Sequence, residues 1–218
     1  MAAAYREGAR EESLGAESRE GLISDLSAIA GAETPALAHA ASLILRSSGD
    51  DPGREGLERT PERFRKAMSH LLSGYGRTAR EAVGEGIFTA EGRGLVSVRD
   101  VEFYSLCEHH LLPFWGKASV AYYPRKKILG LSKIPRLVDL FARRFQVQER
   151  LTEQLAEALV ELIQPRAVVV RVQAGHLCMM MRGVEKQNST TLTETTRGLE
   201  KLSALESQRL LEAVGMPH

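Results

Sequence analysis

The sequence has few cysteines and no long apolar run. Its 218 residues include two cysteines, which are too few for a disulfide framework, so we expect a reducing, cytoplasmic location. No apolar stretch approaches the roughly 20 residues that cross a bilayer, and the N-terminal residues lack an apolar segment of signal-peptide length. These absences predict a protein that is neither secreted nor inserted in a membrane.

An excess of either charge is also absent. Lysine and arginine total 29 against 28 aspartates and glutamates, which leaves a formal net charge of +1. Proteins that bind nucleic acid generally carry a basic surplus, so the composition argues against a nucleic-acid partner. An anionic ligand would therefore have to be held by a local cluster of cations.

Composition and periodicity divide the chain into three segments. Residues 1–34 are rich in Ala, Gly and Glu and predict a mobile N-terminal arm. Residues 35–94 predict a helical region, in which one helix begins at Pro35 and another at Pro61 with Thr60 as its N-cap. Four glycines between residues 84 and 94 indicate a loose connection at the end of this region.

The third segment, residues 95–218, predicts a domain that mixes strands and helices. Two strands are expected at 95–106, with a bulge near Asp100, and at 117–123. Two amphipathic helices follow, the first capped by Ser132 and the second opening near Gln148 and ending before Pro165. Strands at 167–173 and 188–197 and a short final helix complete an α+β order of strand, strand, helix, helix, strand, strand.

Both cysteines lie beside histidines, at the ends of two predicted strands. Cys107, His110 and Cys178 offer two thiolates and one imidazole, a donor set that suits zinc. Three protein ligands leave an open position, as in catalytic sites, where the metal lowers the pKa of a bound water to about 7. His109 and His176 would remain as proton-transfer groups. A Cys107–Cys178 disulfide, or ordinary core thiols and imidazoles, are the alternatives.

Cations and a carboxylate near two helix starts could bind an anionic or a guanine-like ligand. Lys133 and Arg136 follow Ser132 at the first of these helices, and Arg182 lies four residues past Cys178. Glu149 opens the next helix, where a carboxylate could accept two hydrogen bonds from the edge of a guanine ring. Ordinary surface charges are the alternative interpretation for these residues, as they are for Glu108 and Arg63.

Five blocks of the sequence resemble the GTP cyclohydrolase I family. The blocks are Thr60–Arg63, Phe103–His110, Gly130–Lys133, Gln146–Thr152 and His176–Val184. The resemblance covers residues from about 37 to 198, in the family's order. It implies the tunnelling fold, which is an antiparallel four-stranded sheet with two helices inserted between strands 2 and 3, preceded here by an N-terminal helical extension.

The resemblance also implies the activity and the roles of individual residues. The reaction would be the zinc-dependent conversion of GTP and water to 7,8-dihydroneopterin triphosphate and formate, the first step of tetrahydrofolate and pterin biosynthesis. The enzyme would be a toroidal homodecamer with active sites between subunits. By position, zinc would be bound by Cys107, His110 and Cys178; the catalytic residues would be His109, His176, Ser132 and Gln148; and the substrate would be bound by Glu149, Lys133, Arg136, Arg182 and, from a neighbouring subunit, Arg63.

Some positions depart from the family pattern, and two other functions remain open. Gly175 replaces the usual Thr, Pro135 stands where Ala or Asn is common, and the segment Thr193–Glu200 is atypical, but no proposed ligand or base is lost. One rival is the nitrile reductase of deazapurine nucleoside synthesis, which has the same fold, a Cys nucleophile and a nicotinamide cofactor. The other is a non-catalytic, zinc-stabilised protein, in which His109 and His176 would be dispensable.

Overall fold

The computed structural model describes residues 35–215, so the predicted arm of residues 1–34 lies outside the described part of the chain. Four helices come first: α1 (Pro35–Ser47), α2 (Glu55–Glu58), α3 (Thr60–Leu71) and α4 (Ala79–Val83). The strands are β1 (Ile87–Thr89), β2 (Val96–Cys107), β3 (Pro113–Tyr123), β4 (Lys127–Leu129), β5 (Phe145–Gln146), β6 (Ala167–His176) and β7 (Thr191–Arg197). The remaining helices are α5 (Lys133–Ala142), α6 (Gln148–Ile163), α7 (Leu177–Met180) and α8 (Ala204–Glu212).

The main sheet has five strands in the order β5-β2-β3-β6-β7. β2, β3, β6 and β7 pair antiparallel with their neighbours. The sheet has one more strand than expected, because β5 adds to its edge in parallel through Leu106 and Cys107 of β2. α5 and α6 lie between β3 and β6 in the chain, and the fold is a mixed α+β arrangement.

Helices α5 and α6 cover one face of this sheet and form the main core with it. Both helices are amphipathic, as predicted, and their apolar residues are buried: on α5 Ile134, Leu137, Val138 and Phe141, and on α6 Leu151, Leu155, Leu159, Leu162 and Ile163. Their spacing places them on one side of each helix. The other face of the sheet is covered in part by α8, through Leu210 against Ala121 and Val169.

The expected loose connection between residues 84 and 94 is interrupted by β1, while Gly92 and Gly94 lie outside helices and strands as expected. Residues 79–83 form α4, with Thr78 and Glu81 as a capping box, and β1 pairs antiparallel with β4 as a separate two-stranded sheet. Three-residue strands flanked by glycines carry too little periodic signal to be seen in a sequence. The helical region is therefore tied by backbone hydrogen bonds to the segment between β3 and α5.

Of the two predicted helix caps, Thr60 is wrong and Ser132 is right in position but makes no capping hydrogen bond, while the predicted bulge is confirmed. Arg59 takes the N-cap of α3, so Thr60 already lies in the helix. Ser132 is at the N-cap of α5 but accepts no capping hydrogen bond, because its backbone is helical (φ −66°, ψ −10°) rather than extended. In β2 the register shifts between Val98 and Val101, where Asp100 has φ +56°.

No helix within residues 35–215 is long and apolar enough to cross a membrane.

Candidate active site

The loop between β2 and β3 is a closed hairpin turn that carries the first half of the site. The N–H of Cys107 donates to the Leu112 carbonyl at 2.9 Å, and the N–H of Leu111 donates to the Cys107 carbonyl at 2.8 Å. Leu111 has φ +56°, a conformation that turns the chain back into β3. The N–H of Glu108 donates to the Gln146 carbonyl at 3.1 Å, which fixes the loop to β5.

The pairing of β3 with β6 brings the second half of the site to this hairpin. Phe114, at the start of β3, lies opposite His176, at the end of β6. The short helix α7 follows at once and carries Cys178. The ligand atoms of Cys107, His110 and Cys178 consequently lie within 4.8 Å of one another. Both cysteines are free thiols, so the alternative disulfide is not formed.

This donor set fits a zinc ion. Two donors that each lie about 2.0–2.3 Å from one tetrahedral ion are separated by about 3.3–3.8 Å, and the observed spread of up to 4.8 Å requires only modest side-chain adjustments. Burial raises the pKa of the Cys178 thiol, and the neighbouring Cys107 sulfur raises it further. A divalent cation between the two sulfurs would offset both effects.

Arg182 occupies the side of His110 that faces away from Cys107. Its Nη1 lies 3.3 Å from His110 Nε2, while His110 Nδ1 lies 3.9 Å from Cys107 Sγ. A guanidinium only donates hydrogen bonds, so Nε2 accepts this one. A metal at Nε2 would take the same lone pair, and a metal at Nδ1 would place the ring proton on Nε2. A metal bound at either nitrogen would therefore remove this hydrogen bond between Arg182 and His110.

His176 is held in one orientation by a buried network. Its ring stacks on Phe114 with a centroid separation of 4.6 Å and an interplanar angle of 3°. Its Nε2 lies 2.8 Å from Oε1 of Gln148, whose side chain is buried. Burial lowers the pKa of His176, while the nearby Glu149 carboxylate acts in the opposite direction. The neutral ring is thus favoured.

The partners of Gln148 determine which nitrogen of His176 carries the proton. Gln148 Nε2 donates to the carbonyls of Val172 and Thr191, each at 3.0 Å, and approaches Thr193 Oγ1 at 3.2 Å. Two carbonyls can only accept, so the amide nitrogen must face them and Oε1 must face His176. His176 Nε2 is therefore the protonated nitrogen, and Nδ1 keeps a free lone pair.

Glu108 has a defined partner that the sequence pattern did not indicate. Its carboxylate accepts two hydrogen bonds from Arg150, at 2.6 and 2.9 Å, across 42 residues of sequence. This pairing lowers the pKa of Glu108. Since Arg150 lies in the first turn of α6, next to Gln148, the ion pair joins the ligand-bearing hairpin to the helix that supports His176.

The remaining residues expected near the site divide into two groups. His109 is exposed on the hairpin, with Nδ1 3.8 Å from Cys107 Sγ, and Glu149 is exposed in the first turn of α6, close to His176. The second group lies elsewhere and consists of Ser132, Lys133, Arg136 and Arg63.

The residues at the start of α5 lie at the opposite end of the sheet from the cysteines. α5 is about 15 Å long, and it is the far end of this helix that leads to β5, beside Cys107. Its first residues instead follow β4, where the N–H of Leu129 donates to the hydroxyl of Tyr122, near the other end of β3. Arg63 is exposed on α3. One chain therefore does not bring these cations to its own cysteine–histidine cluster.

Gly175, which differs from the family pattern, lies next to the site. A Cβ at this position would come within 2.8 Å of Met180 Cε and 3.8 Å of the Trp115 ring. A larger residue here would require Met180, in the helix that carries Cys178, to move.

An open two-cysteine, one-histidine centre beside a half-buried, oriented histidine defines a candidate metalloenzyme. Comparison with known proteins specifies its family. The sequence model described as GTP cyclohydrolase I matches residues 37–214. This chain belongs to the GTP cyclohydrolase I family.

Individual relatives agree with that assignment. A protein named GTP cyclohydrolase 1 from Deinococcus radiodurans is 54% identical over 170 residues, which are 78% of this chain and 79% of the relative. A protein of the same name from Leptospira biflexa is 54% identical over 171 residues, 78% of this chain and 93% of the relative. Among solved structures, the archaeosine synthase QueF-Like in the apo form aligns with a TM-score of 0.42 and 20% identity over 50% of this chain and 97% of its own.

The geometry places Cys178 in the candidate metal cluster and His176, two residues earlier, outside it. Cys178→Ser should lower the zinc bound per chain by about tenfold or more after dialysis, because one of three ligands loses its thiolate. His176→Ala should keep wild-type zinc, because His176 Nε2 binds Gln148 rather than the metal cluster. Metal analysis of both purified variants measures this difference. Equal zinc in Cys178→Ser and the wild type would contradict the ligand assignment.

Proposed function

We propose that this chain is a GTP cyclohydrolase I, which converts GTP and water to 7,8-dihydroneopterin triphosphate and formate in the cytoplasm. The observation that carries the proposal is the meeting of Cys107, His110 and Cys178 within 4.8 Å, with His176 fixed beside them. Membership of the family supplies the substrate class. A bound Zn²⁺ would supply Lewis acidity and an activated water near neutral pH, which suits hydrolytic opening of the imidazole ring of guanine.

The protein's own contribution to the chemistry begins with His176. With its proton held on Nε2 by Gln148, the ring presents Nδ1 as an acceptor for a proton from water or from the reacting purine. Stacking on Phe114 keeps the ring plane fixed through the reaction. His109, exposed on the hairpin loop, is the second proton-transfer group, because it can reach a bound ligand without displacing Cys107 or His110.

Recognition of the guanine falls to Glu149 rather than to Gln148. The Glu149 carboxylate is exposed at the start of α6, where the helix dipole stabilises a negative charge, and it can accept two hydrogen bonds from the N–H edge of the base. The Gln148 carboxamide is already engaged on both sides. We therefore assign Gln148 to the positioning of His176. The guanidinium of Arg182 is exposed beside His110, and we assign it to the triphosphate.

The rest of the site comes from other copies of the chain. Ser132, Lys133 and Arg136 stand at the far end of the sheet from the cysteines, and among residues 35–215 the side-chain ammonium of Lys133 has no ion-pair or hydrogen-bond partner. Arg63 is likewise unpaired there, since its neighbour Glu62 binds Arg65 instead. We propose a homodecamer of tunnelling-fold subunits, in which Ser132 meets the ribose and these cations meet the triphosphate.

Incubation of the zinc-loaded full chain with GTP tests the function directly. Formate and a pterin, detected by its fluorescence after oxidation, should appear in equal amounts, because ring opening releases one formate for each pterin closed. A folded, zinc-loaded sample that releases neither product would contradict the proposed function. Oxidation of a nicotinamide cofactor without formate release would point instead to the nitrile-reductase alternative.

The role of Gln148 can be separated from general folding. Gln148→Leu removes the acceptor for His176 Nε2–H and should lower kcat by about tenfold or more with zinc content unchanged, because the imidazole loses its fixed tautomer. Thr193→Val removes one of three acceptors of the Gln148 amide and should cost much less. Steady-state kinetics and metal analysis measure both variants. A Gln148→Leu enzyme with wild-type kcat would show that His176 does not depend on this contact.

A further inference from the structure

Gly86 lies against the side chain of Lys133, 47 residues later in the chain. The two are connected through Gly130, whose N–H donates to the Gly86 carbonyl at 2.9 Å and whose carbonyl accepts the N–H of Lys133 at 2.8 Å. Gly86 precedes β1 and Gly130 follows β4, so this link extends the β1–β4 pairing to the first residue of α5. The small sheet and the helix start therefore form one unit.

The space that a side chain would occupy at residue 86 is filled by the Lys133 stem. A Cβ built on Gly86 would lie 2.1 Å from Lys133 Cε, 2.6 Å from Cγ and 2.7 Å from Cδ. These distances are far inside van der Waals contact, and they involve the whole stem rather than its tip alone. Gly86 itself is buried.

Backbone conformation does not explain the glycine at this position. Gly84, two residues earlier, has φ +52° with nothing near its missing side chain, so its requirement is conformational. Gly86 is not among the glycines of positive φ, and any residue could adopt its backbone. The requirement at Gly86 is therefore for space, and Lys133 is the group that uses the space.

The stem of Lys133 packs against Gly86, but its ammonium group makes no contact that would stabilise the fold. A cation in the first turn of a helix opposes the helix dipole, and within residues 35–215 no acidic side chain or acceptor pairs with the Lys133 ammonium. A stem laid against backbone loses conformational entropy, which a free surface lysine would keep. Such an arrangement is expected where an ammonium must be presented to an anionic ligand.

We propose that Gly86 is a positioning residue, whose missing side chain lets the Lys133 stem lie against the end of the β1–β4 sheet and present its ammonium to a polyphosphate. The inference rests on the proposed function for the identity of the substrate. Its test uses inorganic tripolyphosphate as the probe and does not require turnover.

Gly86→Ala in the zinc-loaded full chain should weaken tripolyphosphate binding, measured by calorimetry, by roughly tenfold, because the added methyl displaces the lysine stem. The KM for GTP should rise by a similar factor with kcat nearly unchanged, and inhibition by guanosine, which has no phosphate, should not change. Gly92→Ala is the matched control, because a Cβ there meets nothing within 4 Å and its φ is not positive. It should bind tripolyphosphate as the wild type does.

A double-mutant cycle shows whether the effect passes through Lys133. In a Lys133→Ala background the clash is gone, so adding Gly86→Ala should change neither tripolyphosphate binding nor the unfolding temperature. If Gly86→Ala alone does not fold, the double variant should fold, since the stem is absent. The inference is overturned by wild-type tripolyphosphate affinity in Gly86→Ala, by a further loss on adding Gly86→Ala to Lys133→Ala, or by a wild-type protein that does not bind tripolyphosphate. Failure of the wild type to convert GTP while these binding results hold would overturn the proposed function alone.

Discussion

The register of β3 against β6 is the constraint on which the candidate site depends. It places Phe114 opposite His176. The hairpin that carries Cys107 and His110 leads directly into β3 before Phe114, and α7, which carries Cys178, directly follows His176. Because side chains alternate across a sheet, a slip of one residue would turn His176 to the other face and part the two sulfurs. Ten paired positions between the two strands, with Ala118, Val120, Val170 and Val172 buried against α5 and α6, oppose such a slip.

A buried polar network around Gln148 determines which nitrogen of His176 carries the proton. Gln148 enters the core from the first residue of α6, and its amide joins β6 and β7 through the carbonyls of Val172 and Thr191. An unpaired polar group at this depth would cost about 1–3 kcal/mol, so every group of the network has a partner. The same partners leave a single tautomer for His176. Packing, hydrogen bonding and the choice of proton-transfer atom are thus parts of one arrangement.

The sequence was most informative where a signal is local. The Cys107–His110 and His176–Cys178 clusters carry their donor types in a few residues, and the apolar faces of α5 and α6 repeat every three or four positions. Runs of β-branched and aromatic residues predicted the main strands along the chain, and a break in their alternation predicted the bulge at Asp100. Each of these features depends on neighbours in the chain, and the structure contains each of them.

Features made by distant segments could not be read in the same way. The ion pair of Glu108 with Arg150 and the contact of Gln148 with His176 join residues 42 and 28 positions apart, and no spacing rule connects them. β1, β4 and β5 have two or three residues each, too few for a period. The space left by Gly86 is visible only once Lys133 lies over it. The residue types of Ser132, Lys133 and Arg136 indicated an anion-binding cluster in the sequence. Their distance from the cysteines became visible only in the topology of the sheet.

That separation predicts that a working site combines the cysteine–histidine cluster of one chain with the cations of another. Subunit complementation tests it most directly. His176→Ala and Lys133→Glu should each be inactive alone at low GTP, for different reasons and at opposite ends of the sheet. Co-assembled from a mixture of both chains, they should regain GTP turnover, because some sites pair an intact histidine end with an intact lysine end. Mixed oligomers that contain both chains and remain as inactive as either variant would contradict the claim.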